Sequence, residues 1–328
     1  MYIWQIPFVA VFFLIGCTHQ DVVKSPSEAK PVKLRFQNMV GLELSTAGCS
    51  ILDFGGLDRL CEYALERSTD IFFQVGPAFS RIIAPTENVD GDTLRKHRAI
   101  LWDEWSRQGV SFYAVSVLDL VPSLVEFESV ARNGNIKLIS TNLVTPDKAR
   151  TLFEPYYIVT VGDKPLVFLS FTEPTASDAA SWLVEDISIS FKKILPALPK
   201  ETEVYHVTGS LSASTRKKLA LLSDKPIIFV GGKLTEQNTV SIVRESANSY
   251  WIKCPDLGRG LGEIELVPAK DNKDGVVLGR FSYGYQAVLL PRRAINSPLC
   301  ARLIPKQTVT AEERKTCISD VVRCDEKK

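Results

Sequence analysis

The chain has 328 residues, 45% of them hydrophobic and 23% charged, a composition that excludes a collagen-like fibre and wholesale disorder. Thirty-nine Lys and Arg stand against 38 Asp and Glu, a formal charge of +1, so no global field draws the protein to nucleic acid and no nucleic-acid partner is expected. Only three His occur, at positions 19, 97 and 206, which excludes any site built from four or more imidazoles.

In chain order, residues 6–15 (IPFVAVFFLI) come first, an apolar run half the length of the about 20 residues that span a bilayer but the size of a signal-peptide core. Leu14-Ile15-Gly16-Cys17 follows and resembles the bacterial lipobox, in which a small residue precedes a Cys that is acylated on its sulfur and, after cleavage, on its amine. One departure is that residues 1–5 contain no Lys or Arg. The resemblance implies a signal peptide at 1–16, lipid attachment at Cys17 and a mature chain held on a membrane by two or more acyl chains, a bacterial-envelope location. Thr18 in place of Asp resembles lipoproteins sent on to an outer membrane. Residues 17–31 are polar with two Pro and read as a flexible tether.

From residue 32 short apolar runs alternate with amphipathic stretches. KLRFQNMV is strand-like, residues 56–67 (GLDRLCEYALER) place Leu57, Leu60, Cys61, Ala64 and Leu65 on one helical face, and DIFFQV reads as a buried strand. A helix over 92–108, strand SFYAVSV, a helix near 122–132 and strand NIKLIS come next. YYIVTV and PLVFLSF then flank Gly162-Asp163-Lys164 as a hairpin, followed by strand TEVYHV, a helix over 212–223 and the run PIIFVGG. Such repetition indicates α/β with substantially parallel pairing. After Gly232 only strands are expected, in SYWIKC, LGEIELV and VVLGRFSYGY, covering the edge of the same sheet or of a second one.

Residues 291–328 are basic, Pro-punctuated and Cys-bearing, an appendage to a domain spanning 32–290. Cys300, Cys317 and Cys324 supply either a disulfide or buried thiols, and no CxxC occurs to suggest a zinc ribbon, a thioredoxin-type site or c-type haem.

The order and spacing of these pieces over about 34–267 resemble the metallophosphoesterase (calcineurin-like) domain of the bacterial 5′-nucleotidase family. The landmarks are LRFQNMVG, GGLDRL, DIFFQVGPAF, Ser140-Thr141-Asn142-Leu143, LFEPYYIVTVGDKPLVFLSFTEP and YWIKCPDLGRGLGEIELV. The resemblance implies a four-layer α/β/β/α sandwich with mixed sheets. It also implies a site where two cations, about 3.5 to 4 Å apart, polarise a phosphate and activate water.

The residues at the expected ligand positions depart from that chemistry. Met39 stands where the family has the first Asp, and a thioether does not replace a carboxylate for a hard cation. Pro77 takes the place of the Asp that bridges both metals, within a retained Gly76-x-x-Phe79 frame. Ser116-Val117-Leu118-Asp119 stands for Gly-Asn-His-Glu, so that Val117 and Leu118 replace the ligand and the leaving-group His while Asp119 keeps only the acid. Gly209 falls where a His is expected, with His206 three residues early along the strand, and Gly231-Gly232-Lys233-Leu234-Thr235 keeps both Gly of Gly-Gly-His-x-His but puts Lys233 and Thr235 at the His positions.

Other chemistry finds little footing. No Gly-x-Ser-x-Gly or GxxxxGK[ST] occurs, and Gly258-Arg259-Gly260-Leu261-Gly262 enters a strand rather than a helix. Asp119 with Asp53 or Glu173 is a conceivable acid/base pair, against the ordinary reading of solvated or capping carboxylates. The sequence therefore points to an envelope lipoprotein with a degenerate 5′-nucleotidase-like domain and no cofactor, a pseudoenzyme that binds a protein partner or serves a structural role. Two alternatives stay open: an active phosphoesterase with metal ligands elsewhere, and a lipoprotein that binds a small molecule or anion in the old cleft.

Overall fold

The computed structural model describes residues 31–38, 47–49, 52–54, 71–78, 91–120, 124–131, 135–161, 164–174, 181–231, 241–253, 260–268, 276–278 and 281–289. The first sheet has β1 (Val32–Asn38), β4 (Ile71–Val75), β5 (Val110–Ala114) and β6 (Lys137–Ile139) side by side and parallel. On its other side β1 pairs antiparallel with β15 (Gly260–Pro268), beyond which lie β17 (Phe281–Leu289) and β16 (Val276–Leu278). The second sheet begins with the antiparallel hairpin β8 (Tyr156–Val161) and β9 (Lys164–Ser170). It continues through parallel β11 (Tyr205–Thr208), β12 (Ile227–Val230) and β14 (Ser249–Lys253), and ends with antiparallel β13 (Ser241–Ser246). Two small antiparallel pairs complete the strands among the described residues: β2 (Ala47–Cys49) with β3 (Leu52–Phe54), and β7 (Leu143–Val144) with β10 (Leu183–Val184).

Strand alternation sorts the apolar side chains into layers. In β1 and β4, Leu34, Phe36, Ile71, Phe73 and Val75 face a core shared with Phe168 of β9, Ile228 and Val230 of β12 and Ile252 of β14, which is the space between the sheets. Phe73 stacks on Phe112 of its own sheet at 4.8 Å and tilts against Phe168 of the other at 5.4 Å. On the outer side of the first sheet, Phe72 and Tyr113 join Leu101, Trp102 and Trp105 of α1 (Gly91–Arg107) and Phe127 of α2 (Leu124–Ala131). On the outer side of the second, Val167, Val207 and Phe229 pack with Phe191 of α3 (Ile187–Ile194) and Leu219 of α4 (Ala213–Leu222). Three cores between four layers make an α/β/β/α sandwich with two mixed sheets, the arrangement expected from the sequence.

Two departures from the sequence reading stand out. No element is expected over Ile187–Ile194, where α3 forms: the Asp186 carboxylate accepts from Ser188 N and Ile189 N and caps it, and Ile187, Ser190 and Phe191 face inward at helical spacing. The strands after residue 240, whose sheet the sequence left open, divide between the two: β13 and β14 finish the second, β15 to β17 the first. The helix expected over 56–67 lies outside the described residues. No helix among the described residues is long and apolar enough to cross a membrane.

Candidate functional site

In sheets of this kind the carboxyl ends of parallel strands are where loops from several strands reach one point. Here β1 ends in buried Asn38 and β12 is followed by Gly231. A Cβ on Gly231 would lie 3.1 Å from Val75 Cγ1, 3.2 Å from the Gly209 carbonyl oxygen and 3.4 Å from Asn38 Oδ1. The ends of β1 and β4 in one sheet thus meet those of β11 and β12 in the other. Gly209 has φ +135, and a Cβ there would come within 2.1 Å of the Phe171 carbonyl oxygen, so the turn after β11 requires glycine. The carbonyl of Gly231 accepts from the Trp251 indole of β14, which fixes the start of the turn after β12.

The loops after β4 and β5 are joined through one carboxylate. Pro77, in a cis Gly76–Pro77 peptide, is buried, and Gly76 N donates to Ala114 O at 2.9 Å. Val117 and half-buried Leu118 open the short 3-10 turn Val117–Leu120, and fully buried Asp119 lies within it. Its Oδ1 accepts from Ala78 N at 2.8 Å, and its Oδ2 accepts from the Tyr113 hydroxyl at 2.6 Å and from Ser116 N at 2.8 Å. Ala78 N also donates to Tyr113 Oη at 3.0 Å. Three donors on two oxygens are the pattern of an ionised carboxylate. The Tyr113 phenol is pushed well above its usual range, by burial first and then by the charge of Asp119 and their hydrogen bond. Arg98 of α1, almost wholly buried, places a guanidinium in the field of Asp119 and 3.5 Å from Glu126.

A second set of bonds ties the two sheets together at the same end. Val117 N donates to Thr172 Oγ1 at 3.2 Å, and Thr172 N donates to Asn142 Oδ1 at 3.0 Å. Asn142 Nδ2 returns bonds to Thr172 O at 2.8 Å and Glu185 O at 3.2 Å, while Thr141 N donates to Ser170 O at 2.7 Å. The Ser-Thr-Asn-Leu landmark of the sequence is therefore a stitch between β6 and β9.

Of the residues singled out from the sequence, Pro77, Val117, Leu118 and Gly209 lie at these strand ends. Met39, Lys233, Thr235, Cys17, Cys300, Cys317 and Cys324 lie outside the described residues, as do His19 and the side chains of His97 and Asp53. Asp119 and Glu173 are engaged separately. Glu173 Oε1 accepts from Ser212 N at 2.7 Å and from the hydroxyls of Ser212 and Thr215 at 2.5 and 2.6 Å, at the start of α4. The default of a solvated or capping carboxylate holds for Glu173 and needs correction for Asp119, which is a buried acceptor with dedicated donors.

His206 sits within β11, buried between the sheets, its ring 4.8 Å from that of Phe168, and burial lowers its pKa from 6.5 to about 4. It is a core residue of the strand. The part of Tyr113 was missed from sequence, where one Tyr in an apolar run carries no signal.

The fit of this donor set to a pair of divalent cations can be judged from its chemistry. Among the described residues no three His, Cys, Asp or Glu side chains gather as a metal group. The Asn38 carboxamide is the described side-chain donor where β1 ends, and the Asp119 oxygens face backbone amides and a phenol. These residues do not fit a two-cation site, which needs several carboxylates and imidazoles.

No protein-family description matches the sequence, and no curated protein matches it. Solved structures do match the fold. A 5′-nucleotidase precursor from Thermus thermophilus superposes with a TM-score of 0.59 at 16% identity over 90% of this chain. The NAD nucleotidase of Haemophilus influenzae gives 0.61 at 9% identity over 89%. The calcineurin-like phosphoesterase YfkN of Bacillus subtilis gives 0.55 at 11% identity, covering 89% of this chain and 97% of that one. The chain spans 59% and 56% of the length of the first two. At these identities the likeness establishes the fold shared with these structures and nothing of the chemistry.

Proposed function

We propose that this chain is a bacterial envelope lipoprotein, anchored through Cys17 to an outer membrane, whose 5′-nucleotidase-like domain binds an envelope protein or serves a structural role without turning over phosphate esters. The observation that carries the reading is the pair Pro77 and Asp119. At the end of β4, where the two-metal family has its bridging carboxylate, stands a proline without donor atoms, and the carboxylate beside it is aimed at Ala78 N, Ser116 N and Tyr113. Met39, Val117, Leu118, Gly209, Lys233 and Thr235 extend the same argument along the sequence. Removing one ligand cripples a two-cation site, and here every matched position differs.

The test is turnover of nucleotides and of a model phosphodiester by the purified chain with added Mn²⁺, Zn²⁺ or Mg²⁺, together with elemental analysis. The expected result is no hydrolysis and no stoichiometric metal. Hydrolysis that scales with protein and disappears with chelator would overturn the reading and favour the active-enzyme alternative.

A further inference from the structure

We infer that Asp119 is an internal clamp that holds the ends of β4 and β5 together by hydrogen bonds, so that the closed form of the strand ends does not depend on divalent cations. The inference rests on the metal-free reading above and deepens it. Loops that converge on cations are cross-linked by those cations, and a chain lacking them needs another tie or its strand ends fray.

The tie is visible in the geometry. Ala78 follows β4 directly through Gly76 and Pro77, Ser116 follows β5, and both backbone amides donate to one carboxylate at 2.8 Å. That carboxylate packs against the backbone it secures, since a Cβ on Gly76 would lie 2.7 Å from Asp119 Oδ2 and 2.8 Å from both the Tyr113 hydroxyl and Ala114 O. Tyr113, on β5 itself, donates its phenol to the same oxygen and pins the carboxylate from the strand side. Arg98 supplies the opposite charge from α1, so the buried carboxylate has a compensating cation on the helix packed over the first sheet. Val117, two residues from Asp119, carries the bond to Thr172, so the clamp also sets where the second sheet is stitched on.

Amide hydrogen exchange and thermal unfolding of the full chain test this with Asp119→Asn and the milder Tyr113→Phe. Asparagine offers one acceptor oxygen and turns an NH₂ toward a donor. Asp119→Asn is expected to lower the melting temperature by roughly 5–10 °C and Tyr113→Phe by roughly 2–5 °C. Exchange at Ala78 and Ser116 should accelerate at least about tenfold in Asp119→Asn, while Gly76 N, bonded to Ala114 O, stays protected. Should Asp119→Asn not fold, Tyr113→Phe gives the same local readout. Unchanged exchange at Ala78 and Ser116 overturns the clamp. The cation question is read separately on the wild-type chain. A melting temperature that chelator leaves in place supports the inference, and one that chelator lowers and Mn²⁺ restores overturns both its cation-independence and the metal-free reading, whatever the variants show.

Discussion

Acid should weaken this fold through His206 in a way that one substitution removes. The ring is fully buried between Phe168 and Ile228, its register partners on β9 and β12, and burial lowers its pKa from 6.5 to about 4, with a backbone hydrogen bond at Val167 opposing slightly. The unfolded chain takes up a proton near pH 6.5 that the folded chain refuses until about pH 4. The stability this group contributes is therefore complete above pH 6.5, falls as pH is lowered, and is gone near pH 4. A shift from 6.5 to about 4 corresponds to about 3 kcal/mol at the bottom of that window. Urea unfolding of wild type and His206→Leu at a series of pH values between 7 and 4 isolates the effect. The variant carries some constant packing change, but its stability relative to wild type should rise by about 2 to 3 kcal/mol as pH falls to about 4.5. Parallel curves for the two proteins would show that His206 is not a neutral buried imidazole.

Gly209→Ala places a Cβ within 2.1 Å of the Phe171 carbonyl oxygen at φ +135, and the expected loss is more than about 3 kcal/mol, read from the urea midpoint. An unchanged midpoint would refute the described turn after β11. Cys17→Ser should move the protein from the membrane fraction to the soluble one, and an intact N-terminus on the wild-type chain by mass spectrometry would end the lipobox reading.

Much of the sandwich was legible because its strands are apolar runs cut off by turn residues. Ile71–Val75 and Ile227–Val230 are buried throughout, so each reads as a buried strand without help from its neighbours. The helix Ile187–Ile194 was hidden because Ile-Ser-Ile-Ser shows a two-residue alternation at its start, and its inward stripe includes a serine, Ser190, whose hydroxyl donates to buried Glu185 at 2.6 Å. That β15 joins β1 depends on pairing between residues 228 apart, Arg35 and Glu263, of which local pattern holds no record, whereas β14 joins the much nearer β12, Ile227 facing Ser249. At the site, the glycine turns at Gly209 and Gly231 left a trace in the residue type itself. Of the Tyr113–Asp119–Ala78 cluster only Asp119 was marked, as a retained acid; its donors come from two strand ends, and nothing local in the sequence names Tyr113 or Ala78 as its partners.

The pairing of β1 with β15 has a consequence for a growing chain. Arg35 and Glu263, joined at 3.0 Å across those strands, are 228 residues apart, and every strand of the second sheet is made between them. As synthesis proceeds from the amino end, the described strands of the second sheet are complete by residue 253, whereas the first still lacks the three antiparallel strands β15 to β17. Until β15 emerges, one side of β1 is an open row of backbone donors and acceptors flanked by Leu34 and Phe36, the kind of edge that recruits strands from other chains. The sheet that begins the domain is the one completed last, and a chain halted before residue 260 carries its aggregation hazard at its beginning rather than at the break.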